Sequence, residues 1–249
     1  MYNPFSLEGK TILVTGASSG IGQAIAQESA RMGARLIITA RNEERLKKVY
    51  NSLAGDGHAY VVADLSKYED ICKLVELCPK LDGMSNNAGI IKVILVKFIN
   101  QEYLDEIINT NTTGPILLTN LLVKKKKLNR NASLVYTSSL SGVYCVHYGE
   151  SMYAASKGAI SGFAKGAALD LSTLGIRVNC VNPGIVQTNI FQTAGVITEE
   201  DLAEKIKLFP LKRLGVPTDV AYAHTFLLSN ASSWITGINL PVDGGYILI

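Results

Sequence analysis

The chain has no long uninterrupted apolar run, no cysteines at C-x-x-C spacing and no large excess of charge of either sign. Each absence removes a class of function. The most apolar stretch, Ile90 to Ile99, is broken by Lys92 and Lys97 and falls short of the roughly 20 residues that a spanning helix needs, so no membrane partner is expected. Four cysteines (Cys72, Cys78, Cys145, Cys180) and three scattered histidines (His58, His147, His224) form no ligand cluster, and no metal is expected. With no secretory leader pattern, the thiols read as reduced and the chain as cytoplasmic. A net charge of +3, with no basic stripe interleaved with aromatics, argues against a nucleic-acid partner. Apolar residues, at 47% of 249, suffice for a sizeable core, and a chain of this length reads as one α/β domain over 1–249.

What is present is a repeating order of strand, turn and helix. Thr11 to Thr15 is a β-rich run followed at once by Gly16-Ala-Ser-Ser-Gly20-Ile-Gly22. Ile21, Ala24, Ile25, Glu28 and Met32 then mark a helix closed by Gly33. This is the setting a phosphate site requires: Gly16 permits a tight turn, Gly20 lets the backbone approach an anion, and Gly22 lets helix pack on strand. N–H groups of the first helical turn then face the anion. The second strand, Arg35 to Ala40, ends without a carboxylate, and Arg41 and Asn42 follow. An acid at this tip binds the ribose 2′-OH of NAD, whereas an Arg accommodates a 2′-phosphate; the expectation is NADP(H) over NAD(H), resting on Arg41. Further strands are read at His58–Ala63, ending in Asp64-Leu65, and at Leu81–Ser85, leading into Asn86-Asn87-Ala88-Gly89. A helix from Lys67 to Cys78, stopped by Pro79, separates them. Such alternation implies a doubly wound, Rossmann-type parallel sheet with helices on both faces.

Residues 101 to 127 carry one long helical pattern interrupted by Pro115, which offers no N–H to the carbonyl of Asn111 four residues back. A kink with a free acceptor at Asn111 is expected. Lys124 to Lys127 close this helix as cations complementing its dipole, with docking of an acidic partner as the alternative. A strand at Ala132–Thr137 runs into Ser138-Ser139-Leu140-Ser141-Gly142, placing hydroxyls where ligands bind in open α/β sheets. Tyr153-Ala-Ala-Ser-Lys157 follows on a helix reaching about Leu174. The spacing of four puts phenol and ammonium on one face. A cation beside a phenol favours the phenolate and lowers a pKa that is ordinarily about 10. Tyr153 is thereby a candidate proton donor and acceptor near neutral pH. After a strand at Ile176–Asn182 and the turn Pro183 to Thr188, residues 189–209 break the rhythm and suit a substrate lid. A last helix (Thr218–Leu228) and strand (Ile238–Val242) lead to Asp243-Gly244-Gly245. The apolar end, Tyr246 to Ile249, is expected to be covered by a neighbouring subunit.

Taken together, Thr15-Gly16-x-x-x-Gly20-x-Gly22, Asp64, Asn86-Asn87-Ala88-Gly89, Asn111, Ser139, Tyr153-x-x-x-Lys157, Pro183-Gly184 and Asp243-Gly244-Gly245 resemble the short-chain dehydrogenase/reductase family over essentially the whole chain. Lys212 to Pro217, Trp234 to Gly237 and Val242 to Gly245 look most like the 3-oxoacyl-[acyl-carrier-protein] reductases within it. The resemblance implies a seven-stranded parallel sheet, a homotetramer and NADPH-dependent reduction of a ketone or aldehyde. It implies Tyr153 as general acid and base, Lys157 as holder of the nicotinamide ribose, Ser139 as holder of the substrate oxygen, and Asn111 as main-chain anchor of a relay water. For the cofactor it implies Gly16, Ser18, Gly20, Ile21 and Gly22 at the phosphates, Arg41 at the 2′-phosphate, and Asp64 and Leu65 at the adenine. Asn87, with Gly89 in the same turn, would meet the adjoining ribose, and Tyr153, Lys157, Pro183, Val186 and Thr188 the nicotinamide half. The implied partners are a small carbonyl or alcohol substrate and an acyl carrier protein docking at the lysine run.

Three features depart from that pattern. The segment from Ser139 to Tyr153 is one residue longer, the helix before Leu81 is about a turn shorter, and Ser85 replaces an apolar residue. Tyr144, Val146, His147 and Glu150 are expected to choose the substrate, so a sugar, polyol or other small carbonyl compound is the alternative. A catalytically silent NADPH-binding regulator is the alternative of another class, and the presence of both Tyr153 and Lys157 speaks against it.

Overall fold

The computed structural model describes residues 2–188 and 206–249. Among these residues, seven strands form one all-parallel sheet: β1 (Thr11–Thr15), β2 (Arg35–Ala40), β3 (Ala59–Val62), β4 (Leu81–Asn86), β5 (Leu128–Thr137), β6 (Arg177–Pro183) and β7 (Asn239–Val242). Their order is β3-β2-β1-β4-β5-β6-β7. The chain therefore winds outward from β1 and then crosses back to β4. A crevice at the C-terminal ends of β1 and β4 follows from that reversal. Helices α1 (Gly20–Arg31), α2 (Glu43–Tyr50), α3 (Tyr68–Leu77), α4 (Gln101–Ile108), α5 (Gly114–Lys124), α6 (Ser151–Asp170) and α7 (Pro217–Leu228) cover the sheet.

Two cores result, one on each face. Apolar residues of α3, α5 and α6 pack with Leu13, Met84 and Leu134 on one side. Those of α1, α2 and α7 pack with Ile12, Val14 and Val135 on the other. Alternate residues of β1 thus enter opposite cores, which is why the strand reads as a continuous apolar run. Strand β4 is polar yet buried, and each polar side chain has a partner. The Asp82 carboxylate accepts from the Thr11 N–H and the Asn129 side chain, both at 2.8 Å. Asn86 accepts from Thr15 at 3.0 Å. Ser85 lies 2.8 Å from His224 of α7.

Helix boundaries agree with the sequence reading to within a few residues, with two differences. The long pattern at 101–127 divides into α4, a π-helical turn at Asn109–Thr113, and α5. The expected distortion at Asn111 is thus a π-bulge, an inserted wide turn common at functional sites, with Pro115 in the first turn after it. Strand β5 begins at Leu128, four residues before the expected start. Its pairing with β4 slips between Leu81 and Gly83, and Asn131 there takes φ +61; the polar bulge hides the strand start.

Candidate functional site

A cleft of about 460 Å³ runs along the C-terminal ends of the strands. Gly16, Ser18 and Ile21 line it after β1, Arg41 after β2, Asp64 and Leu65 after β3, and Asn87 and Gly89 after β4. Ser139 lines it after β5, Tyr153 and Lys157 from α6, and Pro183, Val186 and Thr188 at the end of β6 and beyond. The remaining predicted residues, Gly20, Gly22 and Asn111, do not line the cleft.

The glycine turn fits an extended anionic ligand. Gly16 has φ +65, and a Cβ there would lie 2.8 Å from Ala88 Cα, so only glycine lets β1 and the turn after β4 approach this closely. On Gly22 a Cβ would overlap the carbonyl oxygen of Gly16. Thr15 secures the second turn, its hydroxyl accepting from the N–H groups of Asn87 and Ala88 at 3.0 Å. Ser19, the N-cap of α1, makes no side-chain cap, and no acid occupies the first turn. Uncapped N–H groups at a helix start suit a phosphate.

At the β2 end the charge is positive. Arg41 and Arg45, one helical turn apart, both line the cleft. Asn42 caps α2 by accepting from the Arg45 N–H at 2.8 Å. Glu43 and Glu44 are turned to Lys47 and Lys48 at 2.8 and 2.7 Å, and neither lines the cleft. Neither guanidinium has an ion-pair partner among the described residues. Arg45 escaped the sequence reading, although its i,i+4 spacing from Arg41 was the available signal.

At the other end, Tyr153 and Ser139 line the cleft together, and the Ser139 hydroxyl accepts from the Ser141 N–H at 3.1 Å. Lys157 is 5% exposed; its Nζ donates to the Thr137 carbonyl at 2.9 Å and lies 5.8 Å from the Tyr153 ring centroid. The sequence expectation of a lowered tyrosine pKa is reversed. Burial pushes the phenol up to about 12; the nearby Ser139 hydroxyl works the other way, and the Glu150 carboxylate adds to the rise. Spacing alone does not reveal burial, and the ammonium is directed at Thr137. Burial also pushes Lys157 down to about 8, so it stays charged at neutral pH.

The Asn111 side chain is a clamp. Its Oδ1 accepts from the Ile90 N–H at 2.8 Å, and its Nδ2 donates to the Ile90 carbonyl at 2.8 Å and to Ser156 Oγ at 3.0 Å. A Cβ on Gly89 would lie 3.2 Å from Lys157 Nζ and 3.3 Å from Asn111 Oδ1, so both stand against the same glycine. Of the four residues expected to choose substrate, His147 and Glu150 line the cleft. Tyr144 and Val146 do not; the Tyr144 hydroxyl donates to the Asn239 carbonyl at 2.9 Å instead. Glu150 accepts from Ser141 Oγ at 2.6 Å. Tyr246 also lines the cleft. Asp243 accepts from the N–H groups of Gly245 and Ile247 and folds the C-terminal turn back over the site, which no local pattern announced. Of the expected lid at 189–209, residues 189–205 lie outside the described residues; at its described end, Phe209 is 1% exposed and its ring packs 5.1 Å from Tyr246.

Lys124 to Lys127 precede β5 and so lie at the opposite edge of the sheet from the cleft. Lys127 Nζ donates to the carbonyls of Glu76 and Cys78, closing α3; Lys124, Lys125 and Lys126 are exposed.

Comparison with known proteins gives the family. A family model described as Enoyl-(Acyl carrier protein) reductase matches residues 16–247. The chain belongs to the short-chain dehydrogenase/reductase family, and is an oxidoreductase of the alcohol–carbonyl couple that uses a nicotinamide cofactor. It is 36% identical to a 3-oxoacyl-[acyl-carrier-protein] reductase of Rickettsia prowazekii, over 98% of this chain and 99% of that protein. It is 36% identical to another of that name from Thermotoga maritima, over 97% and 99%. Among solved structures, a short chain dehydrogenase/reductase family protein superposes with TM-score 0.86 at 30% identity, covering 98% of this chain and 100% of the other. A putative gluconate dehydrogenase from Agrobacterium tumefaciens gives TM-score 0.91 at 26% identity, with both chains fully covered.

His224 makes a testable mark on stability. The imidazole is fully buried, and burial pushes its pKa down to about 3. An unfolded chain would protonate it near 6.5. The folded state therefore refuses a proton that the unfolded state takes, and stability falls as pH drops from about 6.5 toward 3. At pH 5 the loss is about 2 kcal/mol. In urea unfolding at pH 7 and pH 5, His224→Gln should lose less stability across that interval by about this amount; equal losses in variant and wild type would contradict it.

Proposed function

We propose that the chain is an NADPH-dependent carbonyl reductase whose first candidate substrate is a 3-oxoacyl thioester of a carrier protein. One observation carries the reading: a continuous cleft begins at a glycine turn with an uncapped helix start and ends at Tyr153, Ser139 and Lys157. NADPH, when bound, supplies the hydride to the carbonyl carbon. Gly16, Ser18, Ile21 and the α1 N-terminus would hold the phosphates, with Gly20 and Gly22 shaping the turn. Asp64 and Leu65 would meet the adenine, Asn87 beside Gly89 the adjoining ribose, and Pro183, Val186 and Thr188 the nicotinamide half. Arg41, joined by Arg45, would hold the 2′-phosphate.

The protein groups then divide the acid–base work. Ser139 and Tyr153 both reach the substrate oxygen, and their hydrogen bonds strengthen as negative charge builds on it. Tyr153, held protonated well above neutral pH, donates its proton there. The Lys157 ammonium, anchored on Thr137, holds the ribose and steadies the phenolate that is left. The Asn111 main chain is the proposed anchor for a water that returns the proton. A homotetramer is proposed to cover the exposed Val93, Val96, Phe98, Trp234, Leu248 and Ile249.

A second substrate reading, a sugar, polyol or other small carbonyl compound, has its own observation. Glu150 and Ser141 place a carboxylate and a hydroxyl in the cleft on the Tyr153 side, where substrate hydroxyls can bond. Carrier docking at Lys124 to Lys127 is less favoured within one chain, because ten residues of β5 put that run roughly 30 Å from the site.

Two measurements test these readings. In fluorescence titration NADPH should bind more tightly than NADH, and Arg41→Ala/Arg45→Ala should lose about 10- to 100-fold of NADPH affinity while NADH changes little. Equal or tighter NADH binding by the wild type would sink the NADP(H) assignment. Among carbonyl compounds, acetoacetyl thioesters should be reduced with higher kcat/KM than keto sugars; the reverse order would move the assignment to the second reading.

A further inference from the structure

Ser85 and His224 are 139 residues apart and meet under the cleft, and neither lines it. His224 is 0% exposed on α7, in the core opposite that of α6. Its Nδ1 lies 2.8 Å from Ser85 Oγ, and its Nε2 lies 3.1 Å from Thr137 Oγ1. The Thr137 hydroxyl in turn donates to Asn87 Oδ1 at 3.0 Å. Having given its single proton to Asn87, Thr137 can only accept from Nε2–H, so Nδ1 accepts from Ser85. A hydrogen-bond chain of one sense results: Ser85 to His224 to Thr137 to Asn87. Lys157 reaches the carbonyl of the same Thr137 from the α6 side of the sheet.

We propose that His224 is a positioning residue, which through Thr137 fixes the amide of Asn87 in the orientation that the dinucleotide meets. This rests on the functional reading above, in which Asn87 faces a ribose and Lys157 the nicotinamide end. Burial leaves the imidazole neutral at working pH, so one ring nitrogen donates and the other accepts. Stability alone does not require the arrangement, because two partners replaced together by apolar groups of similar shape are often nearly neutral. What His224 and Ser85 add is direction. Without a donor at Nε2, the Thr137 hydroxyl is free to rotate away from Asn87 Oδ1, and the amide is free to turn. Thr137 and Asn87 both line the cleft, so the effect falls on cofactor binding.

The test is the paired replacement Ser85→Val/His224→Val in the full-length protein, with NADPH as the probe. Its Tm should stay within about 5 °C of the wild type. Its KM and dissociation constant for NADPH should rise about three- to tenfold, more than kcat falls. His224→Gln keeps an acceptor for Ser85 and a donor for Thr137, and should restore NADPH affinity to within about twofold even if its Tm is lower. If the paired variant does not fold, Thr137→Val reads the same link and should raise KM by a similar factor. Wild-type NADPH affinity in the folded paired variant, or in Thr137→Val in its place, overturns the proposal while leaving the functional reading intact. Failure of the wild type to bind either NADPH or NADH overturns that reading, and the proposal with it.

Discussion

Lys157 must be buried and charged at once, and the rest of the site is arranged around that demand. An isolated ammonium in the interior is costly, and its pKa falls until the charge is lost. Here burial lowers it to about 8, and the Nζ donates to the Thr137 carbonyl. That carbonyl lies at the end of β5, which is held between β4 and β6. Helix α6 is tied to the same strand end by Ser138, whose hydroxyl donates to the Lys157 carbonyl at 2.9 Å and meets Ser161 Oγ at 2.8 Å. From the far side, the π-bulge holds α6 through Asn111 to Ser156 Oγ and Thr112 to the Ser156 carbonyl. The cation is thus placed by a central strand and a distorted helix together.

The cleft also has a direction set by charge. The Arg41 and Arg45 guanidiniums, without an ion-pair partner among the described residues, lie at the β2 end, and the uncapped start of α1 follows the neighbouring β1. A carboxylate, Glu150, lies beside Tyr153 at the other end. A nicotinamide dinucleotide lying along the cleft would meet positive charge at the Arg41 end and the Glu150 carboxylate at the Tyr153 end. The same carboxylate raises the phenol pKa and disfavours an anionic group close to the reacting carbonyl. Thioesters and hydroxylated carbonyl compounds satisfy that condition.

Much of this was legible in the sequence, for reasons that also set the limits. The glycine turn, the bare tip of β2 with Arg41, and the Tyr153–Lys157 spacing are local patterns whose geometry follows from strand and helix periodicity. Pro115 announced trouble at Asn111, but whether the helix would break, bend or widen depended on what packed against it. Ser85 could be seen only as an oddity, because its explanation, His224, arrives from the last helix. Tyr246 is brought over the cleft by positive φ at Gly244 and Gly245 and by the Asp243 carboxylate, a turn recognisable only once built. The tyrosine pKa went the wrong way because spacing reports a neighbour's charge and says nothing of desolvation, which here is the larger effect.

The central claim is that Tyr153 gives the proton while other groups hold the cofactor. The most direct test is Tyr153→Phe, measured for both turnover and NADPH affinity with a substrate that the wild type reduces. Loss of the phenolic hydroxyl should cut kcat by about 10²- to 10⁴-fold and leave the NADPH dissociation constant within about twofold. Turnover within tenfold of the wild type would contradict the account.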